Sequence, residues 1–223
     1  MIKIYAAKLQ SLEEFKHTEK ALKKYAQSHT LKKIDSYKSL INKQRSLIGE
    51  MLAYKGLEDC FQLDKEEIVF QNGEKGKPYL KGGIDKYFNI THSGEWVACA
   101  ISDKEIGLDI EIVNKARLGV ANRFFTNKEI EAINSCETER DQDHYFYTLW
   151  TCKEAYLKYL GTGLTKPLNS FNVNISTDSI MVDESDFSKK LIFSKIMLDD
   201  NHIMMSCSHY SIDTFKEIDL YKI

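Results

Sequence analysis

The chain has 223 residues, of which 43% are hydrophobic, 29% charged and 11% aromatic, with a mean hydropathy of -0.40 and a formal charge of -2. That is enough apolar material for one large core or two small ones, and it excludes a disordered or fibrous chain. No apolar run reaches the roughly eighteen residues of a membrane helix, so no membrane association is expected, and two prolines leave no Pro-rich linker.

The opening, Met1 to Lys16, carries acidic and basic side chains within sixteen residues, so no signal peptide is expected and the cytoplasm is the expected compartment. Ser11-Leu-Glu-Glu14 is a capping box that opens a helix with Leu12, Phe15, Leu22 and Tyr25 on one stripe. A second helix is predicted over roughly 28–41, burying Leu31, Ile34 and Ile41 and leaving Lys32, Lys33 and Lys38 to point elsewhere. A third follows at about 43–56 through Leu47, Ile48, Met51 and Leu52. Residues 1–50 hold eleven Lys/Arg against five Asp/Glu, while 51–223 hold twenty against twenty-eight. A basic front segment suits an anionic partner, although lysines coating solvated helices give the same count.

Asn72-Gly73 marks a turn, and the period then changes. Phe88–Ile90, Trp96–Ile101 and Ile106–Val113 read as strands. Thr126-Asn-Lys-Glu129 is a second capping box, and a longer helix is predicted over about 141–160, ending at Gly161. Segments 170–176, 190–197, 202–208 and 215–220 read as short strands. Helices and strands come in clusters rather than in βαβ alternation, which predicts an α+β fold. The five cysteines form no C-x-x-C pair, so free thiols are expected rather than disulfides or a cysteine zinc site, and the six histidines show no metal-ligand spacing.

A faint internal echo runs through the chain. Arg45–Gly56 resembles Trp150–Gly161 in character, Trp96–Ser102 resembles His202–Ser208, and both prolines follow a lysine between the matched segments. Two similar half-domains, 1–104 and 105–223, are therefore expected.

Three patterns carry chemistry. In Ile106–Val113 the even positions are apolar and can face a core, while Asp109 and Glu111 share the other face about 7 Å apart. Paired carboxylates repel unless a cation lies between them, and Mg2+ with its oxygen ligands is the usual solution; a solvated strand face is the bland alternative. On the aromatic helix Trp150, Glu154 and Lys158 stack at i, i+4 and i+8. An exposed pair there would be worth a few tenths of a kcal/mol, but a buried one needs partners such as the metal and a phosphate. Thr91, His92 and Ser93 end a strand beside Gly94, where hydroxyls, backbone N–H groups and an imidazole could hold a phosphate. No P-loop and no G-x-G-x-x-G pattern is present.

In order, Arg45-x-Leu-Ile-Gly, Gly-Lys77-Pro, Phe-Asn-Ile-Thr-His92-Ser-Gly, Gly-Leu-Asp109-Ile-Glu111 and Trp150-Thr-Cys-Lys-Glu154-Ala-Tyr-Leu-Lys158 resemble the motif series of the 4'-phosphopantetheinyl transferases. The likeness is nearest to the long, two-half type that activates nonribosomal peptide synthetases. It covers residues 29–169 and takes in Arg123-Phe-Phe-Thr. It implies transfer of the phosphopantetheine arm of coenzyme A to a serine of an apo carrier domain, with adenosine 3',5'-bisphosphate released and Mg2+, or alternatively Mn2+, as the metal.

By the same resemblance Asp109, Glu111 and Glu154 would hold the metal on the pyrophosphate. Glu154 and Lys158 would be catalytic, with Lys158 on the phosphate under attack. Lys32, Arg45 and His92 would grip the nucleotide phosphates, Lys77 and Thr91 would line the nucleotide pocket, and Asp109 would also lie against coenzyme A. The implied fold is a pseudo-dimer of two similar α+β halves with the active site in the cleft between them. The implied partners are apo carrier domains of nonribosomal peptide, polyketide or fatty acid synthases, met by a monomer. Two positions depart from the pattern: His29 stands where a fully basic side chain is usual, and Thr91 replaces a serine.

Two rivals make different demands. A nucleic-acid-binding module would interleave aromatics with its lysines, whereas Phe15, Tyr25 and Tyr37 are sparse and spaced like core residues. A metal-dependent phosphoesterase would use the same carboxylates with no protein acceptor.

Overall fold

The computed structural model describes residues 1–176, 179–183 and 191–223. The first elements are β1 (Ile2–Lys8), α1 (Leu12–Leu22), α2 (Ser28–Asp35), α3 (Leu40–Phe61), β2 (Phe70–Asn72), β3 (Pro78–Leu80), β4 (Tyr87–Ser93) and β5 (Trp96–Ser102). Then come β6 (Ile106–Ile112), α4 (Leu118–Phe124), α5 (Asn127–Asn134), α6 (Glu139–Leu160), β7 (Asn172–Ile175), β8 (Ile180–Asp183), β9 (Ile192–Asp199), β10 (His202–Ser208) and β11 (Thr214–Glu217). The fold is α+β, and the chain forms two compact units: Met1–Lys104 with Ile212–Ile223, and Glu105–Ser211.

In the first unit a four-stranded sheet runs β11-β1-β5-β4. β5 pairs antiparallel with both β1 and β4, and α3 packs its stripe of Leu47, Ile48, Met51 and Leu52 into the core beside Val97, Cys99 and Ile101. α3 starts where the Ser39 hydroxyl accepts the Asn42 N–H. The predicted helix over 28–41 is cut short: α2 ends at Asp35, and Ile41, expected to be buried, is half exposed in the first turn of α3. Leu12 is likewise exposed, whereas Phe15 and Leu22 of its stripe are buried and Tyr25, just beyond the end of α1, is partly buried.

β1 carries no alternation because Ile2, Ile4, Tyr5, Ala6 and Ala7 are buried on both faces, so a period-two test misses it. Asn72-Gly73 does turn the chain, between β2 and β3, where Gly73 donates to the Lys77 carbonyl at 2.9 Å. The C-terminal segment, expected with the second half, departs from that expectation. β11 runs parallel to β1 with Lys3 opposite Thr214 and Ala6 opposite Glu217, and so completes the first unit's sheet. β1 would otherwise leave a row of unpaired backbone groups along its edge.

In the second unit β6-β10-β9 form an antiparallel sheet, and α6 lies across β6 and β10. The Thr138 hydroxyl caps α6, and Gly161 ends it with φ of 68°. Thr126 and Glu129 form the predicted capping box on α5. The expected strand 170–176 contracts to β7 after a turn of 3-10 helix. Of the expected strand 190–197, residue 190 lies outside the described residues and β9 begins at Ile192. The internal echo falls on equivalent elements: α3 and α6 are both 22 residues long, and β5 and β10 are the central strands flanked on both sides, each buried along all seven positions.

One face assignment is reversed. Asp109 and Glu111 were expected opposite the core, yet the odd positions of β6 face α6. A Cβ on Gly107 would meet the Ala155 carbonyl oxygen at 1.9 Å and the Tyr159 nitrogen at 2.4 Å. Across the ladder Gly107, Asp109 and Glu111 lie opposite Cys207, Met205 and Ile203, which are core residues under α6. The even positions Ile106, Leu108 and Ile110 are buried as well, so apolarity alone could not identify the helix side.

A buried ion pair anchors α6. The Lys153 ammonium, wholly buried, donates to Glu129 at 2.8 Å and to the carbonyls of Leu168 and Phe171 at 2.8 Å each. Glu129 also accepts the backbone N–H of Val173 at 2.7 Å. Burial lowers the proton affinity of Lys153, and Glu129 opposes that shift. The motifs give Lys153 no role and Glu129 only that of a cap, because the pairing joins segments 24 residues apart.

Candidate active site

The predicted residues gather into two separate groups, one within each unit. In the second unit the Lys158 ammonium meets Asp109 Oδ1 at 2.6 Å, with the Asp109 side chain 7% and Lys158 29% exposed. Strand period and helix period account for the pairing: Asp109 is one pleat beyond Gly107, which lies against the backbone of Ala155 and Tyr159 in α6, and Lys158 immediately precedes Tyr159. One turn earlier, the Glu154 carboxyl is raised chiefly by burial, then by the negative charge of Asp109, with Lys158 opposing. Asp109, Glu154 and Lys158 are thus one electrostatic unit.

Glu111, two residues on from Asp109, lines a groove of about 240 Å³ with Asn114, Arg117, Tyr147 and Trp150. The Tyr147 phenol is raised mainly by burial, and the Glu111 charge adds to the effect. Among the described residues no three His, Cys, Asp or Glu side chains converge as a ready metal centre. The expected trio is therefore present as a coupled pair, Asp109 and Glu154, with Glu111 as a strand neighbour. Two neighbouring hard carboxylates, of which Glu154 is raised in part by the charge of Asp109, suit a divalent cation, and Lys158 supplies positive charge at the same place.

The raised carboxyl of Glu154 has a consequence for stability. A group whose folded pKa exceeds its unfolded value favours the fold while protonated, and that contribution is lost as pH rises through the folded value. Glu154→Gln removes the charge altogether, so its melting temperature should exceed the parent's at pH 8. Each kcal/mol relieved corresponds to about 2–4 °C in a chain of this size. Near pH 4, where a free glutamic acid is about half protonated, the two curves should converge. A variant that melts below the parent at pH 8 would show that Glu154 is stabilised by its surroundings instead.

In the first unit a pocket of about 340 Å³ gathers His29, Lys33, Arg45, Glu50 and His92 around an apolar floor that includes Phe88 and Ile90. Arg45 Nη2 donates to the Gly94 carbonyl at 2.7 Å, at a tight hairpin turn where Gly94 has φ of 53°. Its Nε is buried with no hydrogen-bond partner among the described residues. Gly76 and Pro78 line the pocket on either side of Lys77.

Two expected residues fall elsewhere. Thr91 is buried on the face of β4 opposite to Phe88, Ile90 and His92, since neighbours on a strand point to opposite sides. Lys32 is exposed and does not line the pocket, whereas Lys33 does. Helical spacing does not separate the two lysines: from His29, Lys33 lies about 40° round the axis of α2 and Lys32 about 60° the other way, so packing decides which of them faces the pocket.

Comparison with known proteins agrees with these motifs. Residues 105–204 match the family model described as the 4'-phosphopantetheinyl transferase superfamily, and residues 11–104 match the one described as 4'-phosphopantetheinyl transferase, N-terminal. A 4'-phosphopantetheinyl transferase of Bacillus subtilis is 40% identical over 134 residues, covering 60% of this chain and 59% of that protein, so the chain spans about three fifths of that relative. The 4'-phosphopantetheinyl transferase psf-1 of Bacillus pumilus is 34% identical over 79% of this chain and 76% of its own. The 4'-phosphopantetheinyl transferase Sfp of Bacillus subtilis (strain 168) is 35% identical over 74% of this chain and 73% of its own. With motifs, element order and both family models in agreement along the chain, this protein belongs to the 4'-phosphopantetheinyl transferase family.

Proposed function

We propose that this chain transfers the 4'-phosphopantetheine group of coenzyme A to a serine of an apo carrier domain, releasing adenosine 3',5'-bisphosphate in a Mg2+-dependent reaction. The observation that carries the reading is the coupled Asp109, Glu154 and Lys158 cluster in a chain of this family. The serine oxygen forms a bond to the phosphorus that bears pantetheine, the pyrophosphate P–O bond breaks, and the bisphosphate leaves with that electron pair.

Asp109 and Glu154, joined by Glu111, offer the hard oxygen donors that Mg2+ or Mn2+ takes; when bound, the ion would neutralise charge on the pyrophosphate oxygens. Lys158 would meet the charge that grows on the attacked phosphate. The serine must lose its proton, and a carboxylate of Glu154, made more basic by burial, is suited to take it. In the first unit Arg45 and His92 would hold the nucleotide phosphates, and the buried Nε of Arg45 is a donor in want of an acceptor. Lys32 and Lys77 would add charge beside that pocket, while Thr91 would support β4 from its other face.

Among the described residues no helix is long and apolar enough to cross a membrane. We place the enzyme in the cytoplasm as a monomer, serving carrier domains of nonribosomal peptide synthetases in antibiotic pathways, or those of polyketide and fatty acid synthases. The test is an intact-mass assay with purified protein, coenzyme A, Mg2+ and apo carrier domains of the three classes. A gain of one phosphopantetheine on the carrier is expected; no gain on any carrier would overturn the proposal.

A further inference from the structure

We propose that Tyr147 is a positioning residue for the metal: its phenol fixes the Glu111 carboxylate where it can join Asp109 and Glu154. This rests on the reading of those three carboxylates as the metal's ligands. The odd positions of β6 meet successive stretches of α6. Gly107 lies against the backbone of Ala155 and Tyr159, Asp109 meets Lys158 at 2.6 Å, and Glu111 shares its groove with Tyr147 and Trp150. The chain is held on two sides as it leaves Glu111. Val113 donates to the Asn201 carbonyl at 2.6 Å, and Ala116 donates to Asp143 Oδ1 at 2.6 Å, one helical turn before Tyr147 on α6. The backbone beyond Glu111 is thereby pinned, and the torsions of its side chain remain to be set.

Three polar side chains line that groove with Glu111: Asn114, Arg117 and Tyr147. Asn114 and Arg117 are exposed, and holding an arginine's long stem in one place costs rotamer entropy. Tyr147 is 8% exposed, and its ring packs edge-on against Phe146 with centroids 5.1 Å apart, so its few torsions are already fixed. Its phenol meets the Asn114 side chain and lies within the field of the Glu111 charge. Burial keeps that phenol protonated, so it presents an O–H donor and not a second anion. A carboxylate that ligates a metal is itself held by outer hydrogen bonds. A guanidinium on Glu111 would compete with the cation for its oxygens, whereas one neutral O–H occupies a single lone pair and leaves the others for the metal.

The test is a titration of the full chain with Mn2+, with coenzyme A present and no carrier, in which free Mn2+ is read by its paramagnetic resonance signal and no turnover is needed. Tyr147→Phe keeps the buried ring and removes only the donor. Its Mn2+ Kd should rise about tenfold, the low end of the cost of losing an outer hydrogen bond to a metal ligand. Glu111→Gln should weaken binding at least as much. Asn114→Ala, at an exposed position that does not threaten the fold, should shift the Kd in the same direction by less. In the transfer assay, saturating Mn2+ should recover most of the turnover of Tyr147→Phe, which a general loosening of α6 would not allow. A parental Mn2+ Kd in Tyr147→Phe and Asn114→Ala, beside a weakened Glu111→Gln, overturns the inference and leaves the metal reading standing. A loss in Arg117→Ala as large as that in Tyr147→Phe also overturns it, by giving the role to the guanidinium. Parental Mn2+ affinity in Asp109→Asn, Glu111→Gln and Glu154→Gln alike overturns the metal reading itself.

Discussion

Lys158→Ala is expected to lose about 10²–10³ in kcat, the usual cost of deleting one preorganised donor to developing charge. It should also lose about 3 kcal/mol of stability, the low end of the cost of breaking a buried ion pair, because Lys158 is 29% exposed while Asp109 is nearly sealed. The two losses have different causes and can be separated. Lys158→Arg restores a cation beside Asp109 and should recover much of the melting temperature. It should recover little turnover, since a planar fork on a longer stem does not reproduce a compact point charge. Coenzyme A affinity in Lys158→Ala should stay within a few-fold of the parent's, because the contact strengthens only as the serine attacks. Single-turnover rates and ligand affinity at a temperature where every variant is folded decide the matter. Near-parental turnover in Lys158→Ala would leave this lysine a structural counter-ion.

Gly107→Ala should cost about 3 kcal/mol, the upper part of the range for overpacking. The added Cβ would lie 1.9 Å from the Ala155 carbonyl oxygen and 2.4 Å from the Tyr159 nitrogen, which belong to the backbone of α6 and cannot rotate away. A melting temperature lower by about 6–12 °C follows for a chain of this length. The damage should reach the chemistry, because Asp109 is the next residue on the same strand face and β6 can relieve the clash only by moving off α6. Gly119→Ala is the control: nothing lies within 4 Å of its added Cβ and the position is helical, so stability should hold or rise by up to about 1 kcal/mol. Equal melting of the parent and Gly107→Ala would mean that the strand and helix do not approach this closely in solution.

Local patterns were legible wherever one rule acted alone. Both capping boxes and the Gly161 stop depend on a few neighbouring residues and appear where the motifs predict them. The reading failed where rules competed. α2 was overextended because the apolar spacing of Leu31, Ile34 and Ile41 continues smoothly past Ser36, where the helix in fact ends. β1 and β6 defeat a period-two test because both of their faces are buried. At the first unit's pocket, parity along β4 already separates Thr91 from His92, a fact that a likeness of motifs passes over.

The sequence by itself determined the residue types and spacings of the chemistry: carboxylates at period two on one strand, and Glu154 with Lys158 one helical turn apart. Those are properties of a single element, set by backbone geometry within a few residues. Tertiary structure decided which face of β6 meets α6, which lysine of α2 turns to the pocket, that Lys153 and Glu129 neutralise one another inside the second unit, and that β11 closes the sheet beside β1. Each of these joins segments that are distant along the chain. Their outcome depends on which apolar surfaces and open strand edges find one another, and no spacing within one segment encodes that.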